Sequence, residues 1–422
     1  MFKDNARPAT ARITIRRMWQ WRNTCPASST AHLSQINTQP APAPNPSRRR
    51  IRQGGAHAIS AQRNPAQPLL WLLVVVPIVL VAEKAVPEAH TILFVLAVLA
   101  IVPLAALLSH ATEAVAAKTG DAVGGLLNAT LGNLTELIIA VTALHAGQHM
   151  LVKASIAGAI VTNALFMLAA SFLLGGLRYH VQDYNRANGR LYSALLLMTT
   201  VALLAPSAVA DLDLDHGEVL TQKLSAGLAA LLIVAYGLGL VFSLHTHKEF
   251  FASEEHDERE EHWPIGAAVG TLLVVTVLVA LVSEIFVESV QKAAESFGMS
   301  PAFVGFIIVS LVGAAAEMAV AFSAARKNRL DMSVSIALGS ASQIALFVAP
   351  VLVLLSYVVG PAPMNLQFWP GAVTMVMISA VMATFITNSG RSAWFIGVLL
   401  LFVYAIFAMT LYVVPPAAQG PQ

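Results

Sequence analysis

Long apolar runs separated by short polar joints fill most of this chain. They cover residues 69–82, 91–117, 122–146, 151–177, 191–209 and 223–244. After a polar interruption they resume at 265–290, 301–325, 332–359, 368–387 and 393–414. An α-helix needs about 20 apolar residues to cross the hydrocarbon layer of a bilayer, and most of these runs are near that length. Inside lipid a segment must satisfy its own backbone N–H and C=O groups, which a helix does alone. The pattern predicts an all-α polytopic membrane protein with about eleven transmembrane helices. The first run is short and has no polar residue inside it.

Composition strengthens this reading. Of 422 residues, 57% are hydrophobic and 11% charged, against about 25% charged in a soluble domain. Cys25 is the only cysteine, which excludes an intrachain disulfide and a thiolate metal cluster. The sequence contains no HExxH, no GxSxG and no phosphate-binding loop, so an intramembrane enzyme and an ATP-driven pump both lack their machinery. Residues 1–67 hold eleven Lys or Arg against one acid, Asp4. They read as a disordered basic tail without chemistry or an over-long start to the reading frame, and otherwise as an organelle-targeting segment. A secretory signal is excluded because no apolar core follows the charges. Topology explains the tail's charge without a nucleic-acid partner.

The basic residues also orient the spans. With the tail cytoplasmic, the joints carrying Arg178, Arg186 and Arg190, then Arg326, Lys327 and Arg329, then Arg391, all fall inside. The joint with Asp211, Asp213, Asp215 and Glu218 falls outside. Lys153 and Lys292 lie outside, against the trend. The N-terminus is then cytoplasmic and the C-terminus external.

Two acids lie in the middle of spans. Glu136 sits in GGLLNATLGNLTELIIAVTALHA (124–146), and Glu317 in GAAAEMAVAFSAA (313–325). An ionisable group at the bilayer centre costs roughly 2.5–3.5 kcal/mol on insertion scales and usually marks an ion or proton path. The two spans are five apart, so the second copy runs the opposite way. Without gaps, Gly132, Glu136, Ala140, Ala143 and Gly158 fall on Gly313, Glu317, Ala321, Ala324 and Gly339. Matched acids in inverted, glycine-interrupted segments predict a transporter built from inverted repeats. The domain reading is a tail at 1–67, the extra helix at 68–90, the first repeat at 91–248, an acidic cytoplasmic linker at 249–263, the second repeat at 264–415 and a tail at 416–422.

Glu136 and Glu317 are the candidate cation ligands and proton carriers. In low dielectric an unpaired carboxyl favours its neutral form, and a bound cation favours the ionised form. Cation and proton therefore compete for the same oxygens, which is the basis of antiport. A divalent ion is balanced by two carboxylates and replaced by two protons. Gly132 and Gly313 permit a local helix break that frees carbonyl oxygens for a hard cation. Gly158 and Gly339 are further helix-break candidates. Asn133, Asn163, Gln343 and Ser340 complete the candidate cation- and proton-binding set, with Thr162 and Ser342 beside them. The alternative is structural: permanently protonated glutamates and polar helix glue. Glu113, Glu284 and Glu288, towards span ends, are possible entrance acids. His110 is either a proton shuttle or an interfacial hydrogen-bonding group. The linker acids form no EF-hand pattern.

These motifs resemble a known family. GGLLNATLGNLTELIIA (124–140), preceded by HATE from His110, is similar to the first signature repeat of the calcium/proton exchangers (CAX type) of the cation/calcium exchanger superfamily. The segments 154–179 and 335–354 resemble the spans that follow the two repeats. The resemblance implies ten core helices in two inverted halves after one extra helix. It also implies cation/proton exchange by alternating access, and places the motif glutamates at Glu136 and Glu317 and the motif asparagine at Asn133. The second repeat departs from the usual G-N-A-A-E-H, having Ala314 and Met318 in place of the amide and the titratable neighbour. The expected function is exchange of Ca²⁺ for H⁺ without a cofactor, in a bacterial inner membrane. A Na⁺(K⁺)/H⁺ antiporter and a passive cation channel are the alternatives. Inorganic cations, protons and the lipid bilayer are the expected partners.

Overall fold

Two of the mid-membrane segments are bent at their centres. The computed structural model describes residues 71–210, 217–246, 263–414 and 416. The basic tail, the aspartates of the 211–216 joint and the acids of the 249–263 linker lie outside the described residues. In chain order the helices are α1 (Val75–Ala85), α2 (His90–Ala116), α3 (Asp121–Leu131), α4 (Leu134–His145), α5 (His149–Tyr179), α6 (Arg186–Ala210) and α7 (Gly217–Val241). Then follow α8 (Ile265–Ser296), α9 (Pro301–Gly313), α10 (Ala315–Arg326), α11 (Leu330–Leu355), α12 (Pro370–Thr387) and α13 (Trp394–Val413). Two three-residue strands, β1 (Val181–Asp183) and β2 (Arg391–Ala393), pair antiparallel.

Among the described residues, eight helices are long and apolar enough to span a membrane. The pairs α3–α4 and α9–α10, bent by 45° and 58°, bring the number to ten. The eleventh expected span, the short run at 69–82, is not among them. Its described part is a four-residue 3₁₀ turn and the 11 residues of α1, below the ~20 that a crossing needs.

Local chemistry sets several helix ends. The Ser300 hydroxyl accepts from the Phe303 N–H at 3.1 Å, and Pro301 opens the helix behind it. This is the N-cap and first-turn proline arrangement that uses up a free N–H. Pro370 also opens α12, there without a side-chain cap.

Contacts between joints reveal the inversion. On one side β1 pairs with β2, Gln182 Nε2 donates to the Ala325 carbonyl at 3.0 Å, and Arg178 donates to the Arg326 carbonyl at 3.1 Å. Arg190 donates to Asn388 at 2.8 Å. The three basic joints of the sequence thus share one side. On the other side Lys153 Nζ donates to Asn365 Oδ1 at 2.7 Å, Gln148 donates to the Val287 carbonyl at 2.9 Å, and Lys292 meets His90 at 2.9 Å. The ends of α4 and α10 therefore lie on opposite sides although the helices are equivalent. The first helices of the halves, α2 and α8, pack together, with Phe94 stacked on Phe286 at 5.5 Å.

Candidate cation site

The bends occur at Asn133 (φ −100°, ψ 24°) and Ala314 (φ −79°, ψ 4°), in the bridge region where a helix turns without continuing. Neither neighbouring glycine has a positive φ, so the breaks do not depend on glycine's conformational freedom. Space is what they supply. A Cβ on Gly313 would sit 3.0 Å from Glu136 Cγ and 3.4 Å from its carboxyl carbon. Gly313 thus makes room for the carboxylate of the opposite half. We expect Gly313→Ala to fold but to push Glu136 aside by a few tenths of an ångström, with about a tenfold fall in transport per molecule. Flux within twofold of the parent would show that Glu136 does not need this room.

Each break places its glutamate in the first turn of a half-helix: Glu136 in α4, Glu317 in α10. The positive end of the helix dipole favours a negative group there. The preceding half-helix turns its last carbonyls towards the same break, and such oxygens suit a hard cation.

The sequence-predicted amides and Ser340 form one hydrogen-bonded cluster. Asn133 Nδ2 donates to Gln343 Oε1 at 2.7 Å, Asn163 Nδ2 donates to Ser340 Oγ at 2.8 Å, and Ser340 Oγ donates to Asn133 Oδ1 at 3.1 Å. The Glu317 carboxyl lies beside Ser340 and near that of Glu136. Asn133 and Asn163 are fully buried. Two shielded acceptor oxygens in this cluster, Asn163 Oδ1 and Glu317 Oε2, have no hydrogen-bond donor. Acceptors of that kind are stabilised by a cation or a proton.

Glu136 lies on a different wall. With Ser155 and Ser310 it lines a cavity of about 20 Å³ whose other walls include Ile156, Ile344 and Val348. That volume accommodates one water-sized occupant. Thr162 joins this wall, bonding Ser310 at 2.9 Å and the Tyr404 hydroxyl at 3.1 Å. Ser310, Ser155 and Tyr404 were not picked out from the sequence.

Other candidates fall elsewhere. Ser342 donates to the Leu338 carbonyl at 2.7 Å and to the Tyr192 carbonyl at 3.2 Å, turned from the cluster. Gly158 and Gly339 are not helix breaks, because α5 and α11 run through them. Gly158 is instead a point of close approach: a Cβ there would meet the Phe306 carbonyl oxygen at 2.1 Å. Glu113, hydrogen-bonded by Ser109 at 3.3 Å, and Glu284 and Glu288 are exposed. Glu284 and Glu288 share the outer stripe of α8 with Val277 and Leu281, and none of the three acids lines the cavity. His110 is exposed too. No group of three or more His, Cys, Asp or Glu among the described residues could hold a metal ion. The donor set is two carboxyls with neutral oxygens, which suits a passing cation.

Bent helices meeting at paired acids, in two halves of opposite direction, define a multi-pass membrane transporter. Comparison with known proteins makes this specific. The model of the family described as "Sodium/calcium exchanger protein" matches residues 89–245 and again 267–413, and the chain belongs to that family. Within it the chain groups with the CAX-type cation/proton exchangers, which are transporters and not enzymes. It is 40% identical over 338 residues to the Ca²⁺/H⁺ antiporter of Aphanothece halophytica, covering 76% of this chain and 90% of that protein. It is 39% identical over 323 residues to the Ca²⁺/H⁺ antiporter ChaA of Bacillus subtilis (strain 168), covering 75% and 91%. The solved structure of native YfkE superposes with a TM-score of 0.71 at 33% identity, over 83% of this chain and all of that one. The H⁺/Ca²⁺ exchanger CAX shares the fold, with a TM-score of 0.62 at 17% identity over 84% and 89%. The protein is thus a multi-pass cation/proton exchanger.

Proposed function

We propose that the protein exchanges Ca²⁺ for H⁺ by alternating access, with Glu136 and Glu317 binding either one divalent cation or protons. The observation that carries this reading is the meeting of the two half-helix glutamates beside shielded acceptor oxygens without donors. Two carboxylates balance a divalent charge, and protonation removes that balance, so the exchanged species exclude each other. The relatives' names point to the same pair of ions. Inverted repeats about such a site permit exposure first to one side and then to the other. Bacterial relatives and the grouped basic joints support a bacterial plasma membrane with the basic side and the N-terminus cytoplasmic.

Ala314 favours a second reading. It stands where the first half has Asn133, so one amide ligand is missing, and a monovalent Na⁺(K⁺)/H⁺ antiporter would need fewer ligands. Fluorescence dequenching in everted vesicles separates the two. With an acid interior, Ca²⁺ is expected to dissipate the pH gradient at micromolar concentration. Dequenching by Na⁺ or K⁺ with no response to Ca²⁺ would replace the calcium assignment by the monovalent one.

A further inference from the structure

The repeats overlay with a constant offset of 181 residues, Glu136 falling on Glu317. In that register their polar positions are exchanged by one helical turn. The first half has Ala129 and then Asn133; the second has Ser310 and then Ala314. The polar group missing at the second break reappears four residues earlier, on the same helix face. The spans that follow show a similar exchange. Ser155 and Ala159 in the first half face Ile336 and Ser340 in the second. One wall of the site, at Glu317, is therefore rich in amides, and the other, at Glu136, is built from hydroxyls.

Hydrogen-bond direction shows what the Ser310 hydroxyl can do. Its single proton goes to the Phe306 carbonyl at 2.5 Å, so towards Thr162 it only accepts. Thr162 then spends its one proton on Ser310 at 2.9 Å and accepts from the Tyr404 phenol at 3.1 Å. The chain runs Tyr404 to Thr162 to Ser310 to Phe306, and each hydroxyl hydrogen is committed. Ser310, which lines the cavity beside Glu136, has a lone pair left and no proton to offer. That is the character of a neutral ligand for a hard cation. Tyr404 lies on α13, far in sequence from both signature segments. It is held by buried packing and by its ring contact with Phe166 at 5.1 Å.

We propose that Ser310 is a neutral-oxygen ligand on the Glu136 wall, replacing the amide that Ala314 does not supply, and that Tyr404, acting through Thr162, is its positioning residue. The proposal rests on the reading of the Glu136 cavity as a cation site.

Vesicle uptake driven by a pH gradient tests it. KM and maximal rate are read for the cation that the dequenching assay identifies, with folding followed by thermal unfolding of the purified protein. Ser310→Ala is expected to raise KM about tenfold, the scale of a lost contact to a charged partner, with maximal rate within about twofold. Tyr404→Phe keeps the ring and removes the hydroxyl, and is expected to raise KM about threefold. Ser310→Ala with Tyr404→Phe should match Ser310→Ala alone, because the phenol acts only through that oxygen. Ala314 has nearly the backbone conformation of Asn133, so Ala314→Asn keeps the break and should return the Ser310→Ala protein to within about threefold of the parent KM. An unchanged KM in Ser310→Ala, additive effects in the double variant, or failure of a folded Ser310→Ala/Ala314→Asn protein to recover would each overturn the proposal. Glu136→Gln is run alongside. If it transports normally, the cation-site reading fails and this proposal falls with it. If it is inactive while Ser310→Ala has the parent KM, only this proposal is overturned.

Discussion

Glu136→Gln and Glu317→Gln, each alone, are expected to abolish pH-gradient-driven ⁴⁵Ca²⁺ uptake in everted vesicles, to less than about 1% of the parent rate. Glutamine keeps the volume and hydrogen-bonding reach of glutamate, so the half-helix around it is preserved. What it removes is the charge and the exchangeable proton. Leaving a buried charge without its counter-charge costs about 3–5 kcal/mol, equal to roughly two to three and a half decades in affinity at about 1.4 kcal/mol per decade. The Gln variant meets this penalty when the divalent ion enters, because one positive charge remains uncompensated. Both variants should remain folded and monodisperse. In the parent protein the same competition fixes the sign of the pH effect. Lowering pH on the cation-loading side puts protons on the oxygens the cation needs, so apparent KM rises while maximal rate is kept. Uptake near the parent level in both variants would show that the carboxylates are structural and that the coupling lies elsewhere.

The residues that were legible in the sequence share one property: they are strongly polar groups in apolar surroundings. Glu136, Glu317, Asn133, Asn163 and Gln343 stand out because each is costly to place in a bilayer; the structure gathers the three amides around Ser340 beside Glu317 and sets Glu136 on the neighbouring wall. Ser310 and Tyr404 escaped notice for a physical reason. A hydroxyl on a membrane helix is ordinarily satisfied by its own helix, as Thr142 is by the Ile138 carbonyl at 2.9 Å and Thr200 by the Leu196 carbonyl at 2.7 Å. Ser310 makes that same bond and in addition accepts across the interface from Thr162, which no local pattern reveals. One signal was available, namely the overlay of the halves, in which Ser310 falls on Ala129 beside the loss of Asn133 at Ala314. The span-end acids were ambiguous for a different reason. Periodicity does not say which stripe of a long helix faces lipid or water, and Glu284 and Glu288 turned out to lie on the exposed one. Small residues were the other ambiguity, since a glycine in an apolar run serves equally a break or a close packing contact.

Gly158 and Gly339 resolve that last ambiguity, and they should respond to the same substitution in opposite ways. They occupy equivalent positions in the repeats, so a role set by the repeat would make Gly158→Ala and Gly339→Ala equally harmful. The geometry separates them. A Cβ on Gly158 would lie 2.1 Å from the Phe306 carbonyl oxygen and 2.4 Å from its Cα, both backbone atoms. The reciprocal contact is also tight, with a Cβ on Gly305 falling 2.7 Å from Ala154 Cβ and 2.9 Å from the Leu151 carbonyl oxygen. α5 and the middle of α9 are thus locked backbone to backbone, and neither can retreat without moving Ser310, whose hydroxyl is tied to the Phe306 carbonyl. Overpacking a core with flexible side chains costs about 1–3 kcal/mol; against fixed backbone we expect more than about 4 kcal/mol, the range reserved for major structural conflict. Gly158→Ala should therefore lose the monodisperse peak in size-exclusion chromatography, or melt far below the parent and transport nothing. A Cβ on Gly339 meets nothing nearer than Tyr192 Cε1 at 3.6 Å, an ordinary contact. Gly339→Ala should retain the parent melting temperature or exceed it slightly, since alanine suits a helix interior better than glycine. Equal melting temperatures for the two variants would mean that α5 and α9 are not in the contact on which the Ser310 wall of the site depends.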